Sequence, residues 1–468
     1  MKSSYNEDDY DDEDEDDDTP VRGAMYRLIW LAMFAVGFFS WMFKGRRGGS
    51  TEGNELLPFS PLQILIPLLG IFALAVFIMG TRGHFPKVFE STVASWLFSL
   101  GILIICVGAI VHIGNGTYRK EAIMYIVRWM MPFAFLLFLT LAQKYEVGWR
   151  PLAYGLAVGV FMSIVVVEAY RAGMTWLPVD RKTEGRFGGL FSHPNQYGIA
   201  FATTACVPVC LWMSRVTKLR ILAVIMLPLY LVTIFQHMSK TNIILFGICI
   251  FACFVVLSLH STAKTVATLG TSIAAAAIAA ILGYFALELM FQFAPKDAQV
   301  ISNAVFNPGE VRSMDVREDV WDEAWRYVQS NPYMGYGPGW ASENLMRNHA
   351  HNLFLQMEID TGIVGTVGMA LLVLGCLWRF CELLGQAFRA PSRMSESFLM
   401  RLCSGVAVII YIAGNALSDS FGTATIPLFC VFASYAFINS EWQPEPDGEE
   451  EEYDDEDFGE EYDDADAA

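Results

Sequence analysis

Long apolar segments recur along the chain and strongly limit the folds that it can adopt. A helix needs about 20 apolar residues to cross the hydrocarbon core of a bilayer. Such a helix also satisfies its own backbone hydrogen bonds, which lipid cannot do. We therefore predict an all-α, polytopic membrane bundle of about twelve transmembrane helices. The predicted spans cover residues 28–43, 61–80, 93–113, 122–142, 151–170, 196–213, 219–237, 242–259, 266–290, 351–378, 399–417 and 421–440.

Acidic runs occupy both ends of the 468-residue chain and account for its net charge of -18. Runs of one charge sign with few apolar residues cannot bury enough surface to fold. We therefore expect a disordered acidic tail over residues 1–21, a membrane domain over 22–441 and a second disordered acidic tail over 442–468. The composition indicates no nucleic-acid-binding surface.

The even number of predicted spans places both tails on the same side of the membrane. Moving two polyacidic tails across a bilayer is unfavourable, so we predict that both termini are cytoplasmic. Residues 143–150, 214–220 and 379–398 then face the cytoplasm and carry several Lys and Arg residues, in agreement with the positive-inside tendency. The outward-facing segments carry as many Lys and Arg residues, so the count alone does not decide the orientation.

A long polar loop over residues 291–350 is predicted to face the extracytoplasmic side. Within it, Val316, Val320, Ala324 and Val328 repeat at helical spacing. With two tryptophans on its apolar face, this helix is predicted to lie along the membrane surface. The alternative is packing against neighbouring helices alone.

Polar clusters at the extracytoplasmic ends of the spans supply the candidate site. The first is EGRFGGLFSHPNQYG, whose glycines permit close backbone approach and whose Pro-Asn pair opens a helix that favours an anion. The others are QHMSKTN, two arginines of the long loop, and NHAHN ahead of the tenth span. The candidate residues are Arg186, His193, Asn195, Lys240, Arg312, Arg317, His349, His351 and Asn352.

Each candidate also has a simpler explanation when it is taken alone. A single cation near a span end often snorkels or binds a lipid headgroup, and a single histidine often caps a helix. Convergence of several cations and two histidines at one depth instead favours a pocket for a phosphate-bearing ligand.

Metal chemistry is not expected, because the sequence has no H-E-x-x-H, no C-x-x-C and no acidic cluster outside the tails. A set of His193, His349 and His351 is the weaker, metal-binding alternative. The nine cysteines lie in or beside apolar runs and are predicted to be packing residues.

These motifs resemble the O-antigen ligase and polymerase superfamily, in order from about residue 184 to 366. RFGGLFSHPNQYG is similar to the family's Arg, Gly-rich step and Pro-Asn pair, and Ser239-Lys240 is similar to its Ser-Arg pair. VREDVWDEAWRYVQSNPYMGYGPG is similar to its Arg, Trp and Gly-rich turn. HNLFLQMEIDTGIVG is close to its His-Asn, Leu-Gln, acid and Gly pattern.

The resemblance implies an enzyme of the cytoplasmic membrane that acts on the extracytoplasmic side without cofactor, metal or nucleotide. It implies an undecaprenyl-pyrophosphate-linked glycan donor, a lipid or glycan acceptor, and contact with membrane lipids. It further implies that Arg186 and Lys240 contact the pyrophosphate and that His351 is the base for the acceptor hydroxyl. Two departures are Lys240 in place of Arg, which loses the planar fork, and Asp360 where Glu is common.

Several functions remain open at this stage. A ligase and a polymerase explain the motifs about equally well, and a protein O-oligosaccharyltransferase is the third possibility. From a different class, a transporter or flippase of anionic lipid-linked sugars would use the same cations without chemistry. Transporters tend to carry inverted repeats and broken helices near the midplane, and we find no convincing internal repeat.

Overall fold

The computed structural model describes residues 20–41, 61–80, 87–88, 92–114, 118–177, 179, 187–191, 194–214, 216–237, 239–259, 315–346, 349–389, 395–418 and 425–439, with a few isolated positions between 259 and 315. Within these ranges the regular structure is helical and no strand occurs. The helices are α1 (Pro20–Phe39), α2 (Pro61–Gly80), α3 (Val93–Ile110), α4 (Arg119–Lys144), α5 (Arg150–Arg171), α6 (Pro194–Thr204), α7 (Cys206–Met213), α8 (Thr217–His237), α9 (Lys240–Leu257), α10 (Asp315–Ser330), α11 (Trp340–Asn344), α12 (Leu353–Arg389), α13 (Glu396–Ser418) and α14 (Ile426–Phe437).

The membrane bundle predicted from the apolar segments is confirmed. Among the described residues, nine helical segments are long and apolar enough to cross a membrane, and α9 and α14 are shorter apolar helices. The predicted span 266–290 lies outside the described residues. The two largest boundary differences from prediction are that α1 begins at Pro20, eight residues before the predicted 28, and that α12 continues to Arg389 rather than ending near 378.

The sixth span is interrupted between α6 and α7, and the interruption has a local cause. Pro208 has no backbone N–H, so it cannot donate to the carbonyl of Thr204 four residues earlier. The hydroxyl of Tyr230 from α8 lies 3.2 Å from that carbonyl and donates to it instead. The broken turn is therefore satisfied by a neighbouring helix.

The α3 and α12 helices pack backbone to backbone through glycines. A Cβ on Gly101 would lie 2.7 Å from the carbonyl oxygen of Gly368, and a Cβ on Gly368 would lie 2.8 Å from the carbonyl oxygen of Gly101. Farther along the pair, Gly108 faces Thr361 and Gly375 faces Phe98. The helices therefore run antiparallel, and the end of α3 meets the start of α12. Small residues are the usual means of such close approach in membranes.

One end of the bundle, which we call the histidine end, carries His112, His237, His349 and His351. His112 lies directly after α3, near the start of α12. Its Nε2–H donates to the carbonyl of Met334 at 2.8 Å. The chain runs to the opposite end of the bundle in α4 and returns to the histidine end in α5. There, the amide of Gln236 in the last turn of α8 donates to Glu168 in the last turn of α5. The starts of α6, α9 and α12 therefore all lie at the histidine end.

The opposite end is marked by the first residues of α5 and α13. Arg150 and Glu396 form an ion pair of 2.9 Å, and the hydroxyl of Ser214, after α7, also donates to Glu396. The described chain ends lie here as well. Arg22 pairs with Glu146 at 3.3 Å, and the backbone N–H of Asn439 donates to the carbonyl of Val88 ahead of α3.

The helix predicted within the long loop is α10, and its apolar face packs on protein. Val320, Ala324 and Val328 are buried, and the last two belong to a small core with residues of α11 and the first turns of α12. Trp325 remains 49% exposed. The face of α10 that carries Ala324 and Val328 therefore packs against neighbouring helices, as the second of the two predictions states.

Candidate functional site

The predicted site residues fall into three groups by what the structure describes. Asn195, His349, His351 and Asn352 are described with their side chains. Lys240 is the first residue of α9 and Arg317 lies in the first turn of α10, each described by its backbone. The remaining three, Arg186, His193 and Arg312, lie outside the described residues.

The first and second sequence motifs are joined at the histidine end. The backbone N–H of Phe187, the residue after Arg186, donates to the carbonyl of Gln236 at 2.8 Å. From the start of α9, the amide of Asn242 donates to the carbonyl of Asn195 at 3.1 Å and to the hydroxyl of Ser239 at 2.8 Å. The glycine-rich step, the start of α6 and the start of α9 are therefore joined by hydrogen bonds into one polar cluster.

A second set of hydrogen bonds connects this polar cluster to the end of α5. The hydroxyl of Tyr197 donates to Gln236 at 3.0 Å, and the Gln236 amide donates to Glu168 at 2.8 Å. Arg171 pairs with Glu168 at 2.8 Å, and its guanidinium lies 4.4 Å from the centre of the Phe187 ring. The last turn of α5 thus fixes the position of the segment that follows Arg186.

Sequence reasoning missed Glu168 and Gln236 as positioning residues. The available signal was an acidic side chain at the end of a predicted span, since ionisable groups in such segments usually have a specific partner. The sequence does not show which partner Glu168 has, because Gln236 lies 68 residues away along the chain and meets it only in the folded protein.

The two histidines of the fourth motif form a compact turn ahead of α12. The backbone N–H of His351 donates to Nδ1 of His349 at 3.2 Å, and the ring centres are 3.8 Å apart. His351 has a φ of 50°, which is uncommon outside glycine. Such backbone conformations persist where the surroundings enforce them and often occur at functional sites.

Asn352 caps α12 and so determines where the histidine turn ends. Its Oδ1 accepts hydrogen bonds from the backbone N–H groups of Phe354 at 2.9 Å and Leu355 at 3.1 Å. This is the usual N-cap arrangement. The Asn of the His-Asn pair thus has a structural task in addition to its predicted contact with substrate.

Gln356 and Asp360 connect the histidine turn to the body of α12. The side-chain oxygen of Gln356 accepts from the backbone N–H of Ala350 at 3.0 Å, and its amide donates to Asp360 at 2.9 Å. Asp360 is 6% exposed. Asp360 and Gln356 therefore position Ala350, which lies between His349 and His351.

The Gly-rich turn of the long loop is bound to α12 at its kink. The backbone N–H groups of Tyr336 and Gly337 donate to the carbonyls of Ile359 and Asp360 at 2.7 and 3.1 Å. Gly362 has a φ of 64°, and a Cβ there would collide with the backbone of Tyr333. The kink thus requires glycine and joins the third and fourth motifs.

Side chains of α4 line the same region and were not predicted as site residues. The hydroxyl of Tyr125 donates to the sulfur of Met357 at 3.0 Å. Arg128, one turn deeper in α4, has a buried Nε without a hydrogen-bond partner among the described residues. An arginine inside an apolar span is itself the signal that could have identified it.

The two joined pairs of motifs are neighbours within the bundle. Helix α9 contacts α12, and α13 packs against α6, α9 and α12. The two pairs of motifs therefore lie on helices that pack together. Among the described residues, no three His, Cys, Asp or Glu side chains are grouped as metal ligands would be.

Comparison with known proteins agrees with this arrangement. The family model described as O-antigen ligase matches residues 221–370, which run from α8 through the first half of α12 and include the second, third and fourth motifs. A search of curated proteins finds no match. The resemblance to the O-antigen ligase and polymerase superfamily inferred from the motifs is thereby confirmed for residues 221–370, which match the O-antigen ligase domain.

Proposed function

We propose that this protein is a metal-independent membrane glycosyltransferase. It takes a glycan from an undecaprenyl-pyrophosphate carrier and passes it to an acceptor hydroxyl during synthesis of a cell-surface polysaccharide. The O-antigen ligase domain supports membrane glycan processing. The observation that carries the finer proposal is that α6, α9 and α12, each preceded by a polar motif, all begin at one end of the bundle.

Lys240 and Arg186 are proposed to bind the pyrophosphate. Lys240 is the first residue of α9, where the unpaired backbone N–H groups and the helix dipole already favour an anion. A lysine at that position is repelled by the dipole, so an anion held between them stabilises both. Arg186 directly precedes Phe187, whose backbone N–H donates to Gln236 in the last turn of α8. His193, Asn195, Arg312 and Arg317 are proposed as further contacts to the donor.

His351 is proposed as the base, with His349 and Asn352 next to the acceptor. The Nδ1 of His349 accepts the N–H of His351, so that nitrogen carries no proton in this arrangement. The turn is held at both ends, by the Asn352 cap and by Gln356. A base that is already oriented loses little conformational freedom on binding, and general base catalysis contributes about 10² to 10⁴-fold in rate.

The proposed reaction is a displacement at the anomeric carbon. The acceptor oxygen forms a bond to that carbon while the bond to the pyrophosphate oxygen breaks, and the hydroxyl proton passes to His351. The pyrophosphate leaves with an added negative charge, which the fixed cations stabilise. Attack from the face opposite the leaving group inverts the anomeric configuration.

The histidine end is proposed to face away from the cytoplasm. The opposite end carries Lys144, Arg150, Arg220 and Arg389, as expected of the cytoplasmic side of a membrane protein. The described chain ends lie at that same end, so both termini are proposed to be cytoplasmic. This orientation brings the site to the surface where finished carrier-linked glycans are used.

The experiment that tests the proposal is reconstitution in liposomes with a carrier-linked oligosaccharide. Lipid-core, glycan and peptide acceptors are offered in parallel, and products are resolved by mass spectrometry. We expect acceptor-dependent transfer to a lipid or a glycan acceptor and release of undecaprenyl pyrophosphate. Movement of intact carrier-linked glycan across the bilayer without transfer would instead establish the transporter alternative. Transfer to peptide would establish a protein O-oligosaccharyltransferase.

A further inference from the structure

An open groove lies at the end of the bundle opposite the histidine end, beside the last turns of α12. It holds about 540 Å³, and its lining includes Thr92, Trp378, Gln386 and Arg389. Helix α12 has 37 residues, and at 1.5 Å per residue its length is about 55 Å. A bilayer with its headgroups is only about 40 to 45 Å thick. The last turns of α12, and the groove beside them, therefore lie on the water side of the membrane surface.

The lining of the groove combines positive charge with an aromatic wall. Arg379 and Glu382 pair with each other at 3.0 Å, so their charges balance. Arg389, in the last turn of α12, is exposed, and none of the ion pairs between described residues includes it. The indole of Trp378 is 48% exposed. The groove therefore suits a partner that presents carboxylates together with an apolar ring.

The described part of the C-terminus ends at the edge of this groove. The Nε–H of Arg379 donates to the carbonyl of Ala436 at 2.8 Å, and Asn439 is bonded to the segment ahead of α3. The chain continues as SEWQPEPD over residues 440–447. Three residues can span about 10 Å, so Trp442 is within reach of the groove from Asn439.

The composition of residues 440–447 differs from that of the acidic run that follows. The segment combines one tryptophan with glutamates at positions 441 and 445 and with two prolines. Tryptophan is among the residues that most often anchor an interface. The prolines restrict the free chain, which lowers the entropy lost on binding. Because the segment is tethered beside the groove, its effective concentration there is about millimolar, which favours it over an untethered partner.

We propose that residues 440–447 bind in this groove as a docked segment of the protein's own C-terminus. The indole of Trp442 packs against Trp378, and the two glutamates of the segment face Arg389. This contact does not depend on the transferase chemistry. It fastens the start of the acidic tail to the end of α12 that lies opposite the histidine turn.

The first test uses Cys381, which lines the groove, as a reporter of its occupant. Of the nine cysteines it alone is exposed, so N-ethylmaleimide modifies it before the others. The full-length protein in phosphatidylcholine nanodiscs is compared with its Trp442→Ala and Trp442→Phe variants. We expect Trp442→Ala to raise the rate of Cys381 modification about tenfold, because the anchor is lost, and Trp442→Phe to retain most of the protection.

The control for this test is Trp176→Ala, which removes a 75% exposed tryptophan that follows α5 at the histidine end. It should leave the modification rate of Cys381 unchanged. Equal rates in the wild-type protein and in Trp442→Ala would overturn the proposal.

The second test reverses the charges of the proposed ion pairs. We expect Arg389→Glu to raise the modification rate about threefold, the size of effect that exposed ion pairs give. Adding Glu441→Lys and Glu445→Lys to that variant should restore the protection. Lys218→Glu is the matched control, because it makes the same charge change at an exposed position at the start of α8, at the same end of the bundle. Failure of the swapped charges to restore the protection would contradict the assigned contact.

The same measurement distinguishes the C-terminal segment from two other acidic occupants. The nanodiscs are prepared with and without phosphatidylglycerol, and we expect protection in both, dependent on Trp442. Protection that requires phosphatidylglycerol and persists in Trp442→Ala would overturn the proposal and identify an anionic lipid headgroup as the occupant. Protection that is lost on removal of residues 1–18 and is unaffected by Trp442→Ala would instead assign the groove to the N-terminal acidic tail.

Discussion

The amide of Gln356 donates to the carboxylate of Asp360 at 2.9 Å, one turn farther along α12. The carboxylate accepts from the NH₂ group, so it orients the amide with its oxygen toward the backbone N–H of Ala350, which donates to it at 3.0 Å. Asp360 thus acts on the histidine turn through an intermediate side chain. We regard it as a positioning residue and His351 as the residue that meets the acceptor.

Replacing Asp360 should therefore impair transfer without removing carrier binding. We expect Asp360→Ala to lower kcat about 10- to 100-fold, because small displacements of a catalytic group cost this much, with KM for the carrier-linked donor nearly unchanged. Asp360→Asn is the matched control, since it keeps an acceptor oxygen for Gln356 and should retain most of the activity. Loss of folded protein in both variants with normal turnover per folded molecule would show a purely structural role.

His351→Ala should abolish glycan transfer while leaving protein level and carrier binding largely intact. The expected loss is about 10² to 10⁴-fold, the usual contribution of a general base. His349→Ala is the comparison, because that ring supports the turn by accepting the N–H of His351. If His351→Ala turns over at the wild-type rate, the base lies elsewhere, with His349 or His193 next to be tested.

Lys240 should be replaceable by another cation but not by a neutral residue. We expect Lys240→Arg to retain transfer, since arginine keeps the charge and is the residue expected from the family pattern. Lys240→Ala should lose most activity, with the loss seen in donor binding and in turnover, because the charge of the leaving pyrophosphate is no longer balanced. Equal activity of the two variants would exclude Lys240 from the site.

A chelator should not inhibit glycan transfer by the purified protein. The prediction rests on the sequence, in which the acidic residues cluster in the tails and none of the usual metal motifs occurs. We expect transfer rates with and without EDTA to agree after desalting into metal-free buffer. Strong inhibition that is reversed by a divalent cation would revive the metal alternative formed by His193, His349 and His351.

The helices of the bundle could be predicted because the signal for a membrane span is local. About 20 apolar residues in succession are sufficient to identify one, and each described span coincides with such a segment. The start of α12 was also predictable within two residues, since a polar His-Asn pair meets an apolar run there. The alternation of successive spans across the membrane was enough to predict that the polar motifs lie at the same end of the bundle.

The contacts that hold the site together could not be predicted in this way. Glu168 and Gln236 lie on different helices, and nothing local shows which side chains of two facing turns will meet. For the same reason the sequence could not decide between membrane and protein as the partner of α10, because Val320 is apolar in either case. Arg128 was visible as a charge within a span, but its nearness to the site depends on how α4 packs.

The final prediction concerns the glycine contact between α3 and α12 and uses two positions in one helix. Gly368→Ala should lower the Tm measurably, because the new methyl group would lie 2.8 Å from the carbonyl oxygen of Gly101 and the helices would have to separate. Overpacking of this kind typically costs about 1 to 3 kcal/mol. Gly385→Ala, also in α12, meets no atom within 4 Å, so its Tm should stay the same or rise slightly through better helix propensity. Thermal unfolding in detergent checks both variants, and equal Tm values would show that the backbones of α3 and α12 are not in contact. Because α12 also carries the histidine turn, we expect Gly368→Ala to reduce transfer as well, whereas Gly385→Ala should leave it unchanged.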